Sequence, residues 1–216
     1  MMKEPQDYLQ DITTMRTLME RSTRFLSLSG ISGVMIGVYA LLGVTTARYY
    51  LCFQPLDLLD QGGDIFLAET TQMKLVLLAI AVLVLSLGTA FILSKQKAAK
   101  KGEQLWNITA RSMLVHLSTP LMVGGILMLI FFSKGWLGFL APLSQLFYGL
   151  ALVSVSKFTF SEMRGMGWVQ LLLGLLATAL PAYSLLCWAL GFGGSHIAYG
   201  IYLHYKYERG NFPLQA

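Results

Sequence analysis

The 216-residue chain predicts an all-α, polytopic membrane protein: a bundle of about six transmembrane helices preceded by a short N-terminal amphipathic helix. Three observations carry that expectation. Hydrophobic residues make up 55% of the chain and charged residues only 12%, against roughly 25% charged in soluble domains. The mean hydropathy is +0.60, which no water-soluble core of this size requires. Finally, the apolar residues fall in runs of about 20, the length that crosses a hydrocarbon layer of about 30 Å.

The first 24 residues carry Lys3, Glu4, Asp7, Asp11, Arg16, Glu20, Arg21 and Arg24. So polar a segment lacks the apolar core of a cleavable signal, and the first span is expected to act as its own signal anchor. Over 7–24, Tyr8, Ile12, Met15 and Met19 recur at helical spacing opposite the charged residues, which predicts a helix lying at the cytoplasmic surface. The resulting organisation is a helix over 1–24, a six-span bundle over 25–209 and a tail over 210–216.

Apolar spans are expected near 25–47, 74–94, 110–132, 136–157, 168–189 and 191–206. The sixth is short, opens on Gly191, Gly193 and Gly194, and closes on His204, Tyr205 and Lys206. In the first span, Ser29, Gly33 and Gly37 repeat every four residues, a ridge of small side chains that lets a second helix come close. That ridge fits packing within the bundle and self-association into a homo-oligomer equally. The second span contains only Ser86 and Thr89 as polar residues and is placed at the lipid-facing periphery. Pro120, Pro142 and Pro181 fall inside the third, fourth and fifth expected spans, where each frees a backbone carbonyl.

Orientation follows from the basic residues. Alternating the spans puts thirteen of the sixteen Lys and Arg on one side, leaving Arg48, Lys74 and Lys134 on the other. Because Lys and Arg accumulate on the cytoplasmic side, both termini are expected in the cytoplasm of a bacterial inner membrane. Trp106 and Trp168 then mark inner span ends, and Tyr49, Tyr50, Trp136 and Trp188 outer ones.

The run MRTLMERSTRFLSLSGISGV at 15–34 and the closing HIAYGIYLHYKYERG at 196–210 resemble an uncharacterised family of small bacterial inner-membrane proteins with six spans. The resemblance covers the whole chain. It implies the membrane location and brings no activity, ligand or catalytic residue.

Most chemistry is excluded by what the spans lack. No Asp, Glu, Lys or Arg lies in the central part of any of them, so the intramembrane carboxylates of ion-coupled carriers and the arginines of voltage sensors have no counterpart. There is no phosphate loop, HExxH or dinucleotide fingerprint, and no nucleophile with a base at motif spacing. Lys95, Lys97, Lys100 and Lys101 form a small basic cluster suited to anionic lipid head groups. The pI of 9.2 reflects such cytoplasmic loops rather than nucleic-acid binding. Asp57, Asp60, Asp64 and Glu69 lie in the first outer loop without the order of a calcium loop. Cys52 and Cys187 fall near outer span ends, where an oxidising compartment permits a disulfide.

Two sets of polar residues remain. His116 and His204 fall at similar depth, with His196 about 12 Å further out at 1.5 Å per residue. They admit a bis-histidine haem or proton-handling pair, although the sequence predicts no resident cofactor. Gln145, Ser144, Tyr148, Thr178, Tyr183, Ser184, Tyr199 and Tyr202 form a polar, aromatic seam among the last three spans. Such a seam suits a lipid or a small amphipathic ligand, or simply interhelical hydrogen bonds. The expected function is therefore a non-enzymatic accessory, regulatory or ligand-binding component. A small oligomeric permease is the first alternative, and a haem or quinone redox subunit the second.

Overall fold

The computed structural model describes residues 29–51, 69–101, 106 and 108–209. The expected N-terminal amphipathic helix, Asp57, Asp60 and Asp64 of the acidic outer loop, Cys52 and the C-terminal tail lie outside the described residues, while Glu69 is the first residue of a helix. Every regular element described is helical. Among the described residues, four helices are long and apolar enough to cross a membrane.

Helix α1 (Gly30–Thr45) runs on into a π-helical turn, Thr46–Tyr50. Helix α2 (Glu69–Lys101) is the longest at 33 residues. Its apolar stretch has no residue buried inside the bundle, in keeping with the peripheral place expected of a span almost without polar groups. Helix α3 (Ile108–Ser133) contains Pro120 and is also peripheral, packing on α4. Gly135, at φ +75°, ends α3: its N–H bonds the carbonyl of Phe132 at 3.0 Å and that of Trp136 the carbonyl of Phe131 at 2.9 Å. Only glycine takes that left-handed conformation at little cost, and the pair of bonds satisfies carbonyls that the last turn leaves free. The Trp136 ring closes edge-on against Phe131, with centroids 5.1 Å apart.

A short 3₁₀ turn, Leu137–Phe139, leads into α4 (Leu140–Val155). Helix α5 (Met163–Ala179) buries Met166, Gly167, Gln170, Gly174 and Ala177, a single face at helical spacing. The chain then turns at Leu180, whose φ of −127° and ψ of 73° lie outside the α region that a following proline disfavours. Pro181 opens a 3₁₀ turn, Pro181–Tyr183, and the backbone is helical from there to Arg209 through α6 (Ser184–Trp188), a π-helical segment (Ala189–Ser195), α7 (His196–Leu203) and a second π-helical segment (His204–Arg209).

This differs from the expected boundary between the last two spans. The glycines at 191, 193 and 194 read in sequence as a break between helices, and Pro181 as a kink inside one. In the structure Pro181 makes the break and the glycines lie within the final helix as a π segment. Proline lacks the N–H that would continue α5, whereas glycines inside an apolar helix let a neighbouring backbone approach.

The final helix lies at the centre, with α1 on one side and α4 and α5 on the other, while α2 packs on α1 and α3 on α4. The small-residue ridge of α1 is taken up here. A Cβ at Gly30 would fall 2.6 Å from the carbonyl oxygen of Gly200 and one at Gly37 2.6 Å from that of Gly193. The ridge therefore packs on the final helix within the chain.

Candidate functional site

On its other face the final helix meets α4 and α5 through polar groups. Gln145 on α4 and Gln170 on α5 are both 0% exposed. Each donates an N–H from Nε2 to a carbonyl of the final helix, Gln145 to Cys187 at 2.8 Å and Gln170 to Gly191 at 2.9 Å. Gly191 lies in the π segment, and three side chains gather on its carbonyl. Besides Gln170, it accepts from the Ser195 hydroxyl and faces His196 Nδ1 at 3.4 Å.

His196 is buried and is held at both nitrogens. With Nδ1 turned to a carbonyl, which can only accept, the ring proton sits on Nδ1 and Nε2 accepts from the Tyr148 hydroxyl at 2.8 Å. The ring also stacks on Tyr148 and Phe192, with centroids 5.5 Å and 5.9 Å apart. Phe192 continues the column to Trp188 at 4.7 Å. The Trp188 indole N–H donates to Ser144 Oγ at 3.1 Å. The seam is thus built of amides, hydroxyls, one neutral imidazole and π-faces. Among the described residues no Asp, Glu, Lys or Arg is buried.

Three polar atoms of this region are buried without a hydrogen-bond partner: Gln145 Oε1, Gln170 Oε1 and the Tyr199 hydroxyl. An unpaired buried acceptor costs about 1–3 kcal/mol, so each of the two glutamine oxygens is a place where a donor would be held strongly.

Of the residues expected from sequence, Gln145, Tyr148 and His196 come together with Ser144, and Tyr199 lies one helical turn along from His196. The others lie elsewhere. Thr178 Oγ1 bonds its own helix at the Gly174 carbonyl, 2.9 Å away. Tyr183 is 58% exposed in the turn after α5. The Tyr202 hydroxyl accepts from Lys206 at 3.0 Å near the end of the final helix. His116, on α3, bonds the Ser112 carbonyl at 2.8 Å and rests on the Phe158 ring at 4.6 Å. His204 sits where the final helix meets α1 at Gly30. The two histidines thus have different neighbours, His116 the Phe158 ring and His204 the α1 backbone at Gly30. Cys187 is buried near the start of the final helix.

Sequence reasoning missed Gln170 and Gly191. Gln170 had a signal, being the one amide in the run from Trp168 to Leu180. Gly191 had none, because its part depends on the π segment.

At the far end of the final helix a second polar contact pins the loop after α4. Lys206 Nζ is bonded to Glu162 Oε1, and Tyr207 donates to the same oxygen at 3.0 Å. Partial burial alone would raise the Glu162 carboxyl, but bonds from Lys206 and Tyr207 prevail and hold it below the ordinary glutamate range.

Comparison with protein-family models, with characterised proteins and with solved structures finds no match for this chain.

Proposed function

We propose that the protein is a six-crossing bacterial inner-membrane protein that binds a small molecule in the seam between α4, α5 and the final helix, without covalent chemistry. The observation that carries this reading is the pair of fully buried glutamines, each with one end spent on a final-helix carbonyl and the other unbonded. Interhelical glue is built so that both ends are used. A π segment inside a helix is also a recurrent feature of functional sites.

Six crossings are supported by length and sequence. Besides the four apolar helices, α5 has 17 residues, at the lower end of the spanning range of about 17–25, and the final helix extends over 184–209. The basic residues favour cytoplasmic termini. A non-enzymatic role is favoured by the seam's chemistry, which offers hydrogen bonds and ring faces but no buried carboxylate or cation to move charge.

The test is native mass spectrometry of the protein released from mild detergent. A non-lipid adduct of fixed mass is expected on the wild type and absent from Gly191→Ala, whose added methyl would run into both glutamine amides. Release of the bare polypeptide mass, under conditions gentle enough to keep lipids attached, would overturn the reading.

A further inference from the structure

We infer that the molecule held at the glutamine pair is small, uncharged and carries two N–H or O–H donors, as ureas, primary amides and diols do. The inference rests on the ligand-binding reading above and names the chemistry of its ligand.

Each glutamine head is locked in orientation. Gln145 Nε2 gives an N–H to the Cys187 carbonyl and Gln170 Nε2 gives one to the Gly191 carbonyl. Turning either amide over would set Oε1 against a carbonyl oxygen, replacing an attraction with a repulsion between two acceptors. Both Oε1 atoms are therefore fixed acceptors, fully buried and unbonded. They also belong to neighbouring heads, since a Cβ built on Gly191 would collide with both Gln145 Nε2 and Gln170 Oε1. Only an absent side chain at 191 leaves room for the two amides to meet.

Two buried acceptors on neighbouring heads repel an anion. A bare cation would have to shed its water in a region where, among the described residues, no buried carboxylate offsets its charge, and that desolvation costs several kcal/mol. A neutral molecule escapes both penalties. One donor would satisfy only one carbonyl and leave the other at full cost, so two donors match the site. The rings of Tyr148, Phe192 and Trp188 beside it offer apolar surface to the rest of such a molecule and favour no charge.

Infrared spectroscopy of protein labelled with ¹³C at the glutamine side-chain carbonyl reads these atoms directly. The probes are urea and 1,2-ethanediol at sub-denaturing concentration, with tetramethylurea as the control that has a carbonyl but no donor. In the wild type both donors are expected to move glutamine carbonyl intensity to lower frequency, and tetramethylurea is not. Gln145→Leu and Gln170→Leu should each remove its own share of the shifted band. The wild-type comparison of donor with non-donor probe stands even where a variant folds poorly. A band that does not respond to either donor, that responds equally to tetramethylurea, or whose response survives in both variants overturns the inference. An adduct lost in Gly191→Ala together with silent glutamine carbonyls would sink this ligand class alone and leave the binding reading in place.

Discussion

The Tyr148 hydroxyl lies 2.8 Å from His196 Nε2, and the other imidazole nitrogen faces the carbonyl of Gly191, five residues earlier in the same chain. That carbonyl lies in the π segment, and the imidazole, the Ser195 hydroxyl and Gln170 all face it. A local backbone irregularity thereby fixes which nitrogen of the histidine carries the proton and lets α4, α5 and the final helix meet through neutral hydrogen bonds.

Tyr148→Phe keeps the ring stack and removes one hydroxyl. Interhelical hydrogen bonds in membranes average about 0.6 kcal/mol and reach about 1.7, so the variant should fold with a loss in that range. The sharper readout is nitrogen-15 spectroscopy of His196. Its Nε2 resonance should move to that of an imine nitrogen with no donor, while Nδ1 stays protonated. An unchanged Nε2 signal would mean that the tyrosine does not donate to it.

Gln170→Leu should cost little, within about 1 kcal/mol, because it deletes one good hydrogen bond and one unsatisfied acceptor together. The Gly191 carbonyl keeps Ser195 and His196 as donors. Gln170→Glu should behave oppositely, since it sets an ionisable group of the same shape in a fully buried place; its destabilisation should grow as pH rises and the carboxyl is pressed to ionise. Reversible unfolding in micelles, followed against pH for both variants, checks the order. A leucine variant less stable than the glutamate variant at high pH would contradict it.

Periodicity and composition made the helices legible, and the Ser29, Gly33, Gly37 ridge announced a close contact. What they could not convey was partnership. Seen along α1 alone, the ridge fits another chain as well as this one; only the matching bare backbone at Gly193 and Gly200 decides for the final helix. The last helix boundary was misplaced for a related reason. Three glycines in four residues look like a turn when read locally; in the fold Gly191 meets the glutamine heads and Gly193 the Leu41 side chain of α1, contacts that the local sequence does not show. Gln145, Tyr148 and His196 were visible as polar residues in apolar runs. Their meeting on the final helix was not, because it is set by several helices together.

The central packing makes a separate prediction. A Cβ at Gly200 would lie 2.5 Å from the backbone nitrogen of Val34 and 2.6 Å from the carbonyl oxygen of Gly30, whereas at Gly88 and Gly125 nothing lies within 4 Å. Backbone cannot rotate aside as a side chain can, so Gly200→Ala must push α1 away from the final helix. The expected loss is about 1–3 kcal/mol, the usual cost of overpacking. Gly88→Ala and Gly125→Ala should be neutral or slightly stabilising, since alanine favours helix over glycine. Equal effects at all three positions in thermal unfolding would mean that α1 and the final helix do not touch as described.

The contact of Glu162 with Lys206 and Tyr207 predicts how stability follows pH. The folded carboxyl is held below the ordinary glutamate range, so the unfolded chain takes up its proton first as pH falls. The stabilisation is therefore fully present above the unfolded value, about pH 4.3, and is lost as pH drops through the lower folded value. Lys206 stays charged throughout and contributes no change of its own in that range. Because Lys206 is exposed, solvent and salt screen the pair, and its worth should not exceed about 1 kcal/mol. Glu162→Gln should lower stability by up to that amount at neutral pH and match the wild type once both carry an uncharged side chain in acid. Added salt should narrow the neutral-pH difference. Unfolding curves for the two proteins that stay parallel from neutral pH into acid would show that the bond to Lys206 adds nothing to the fold.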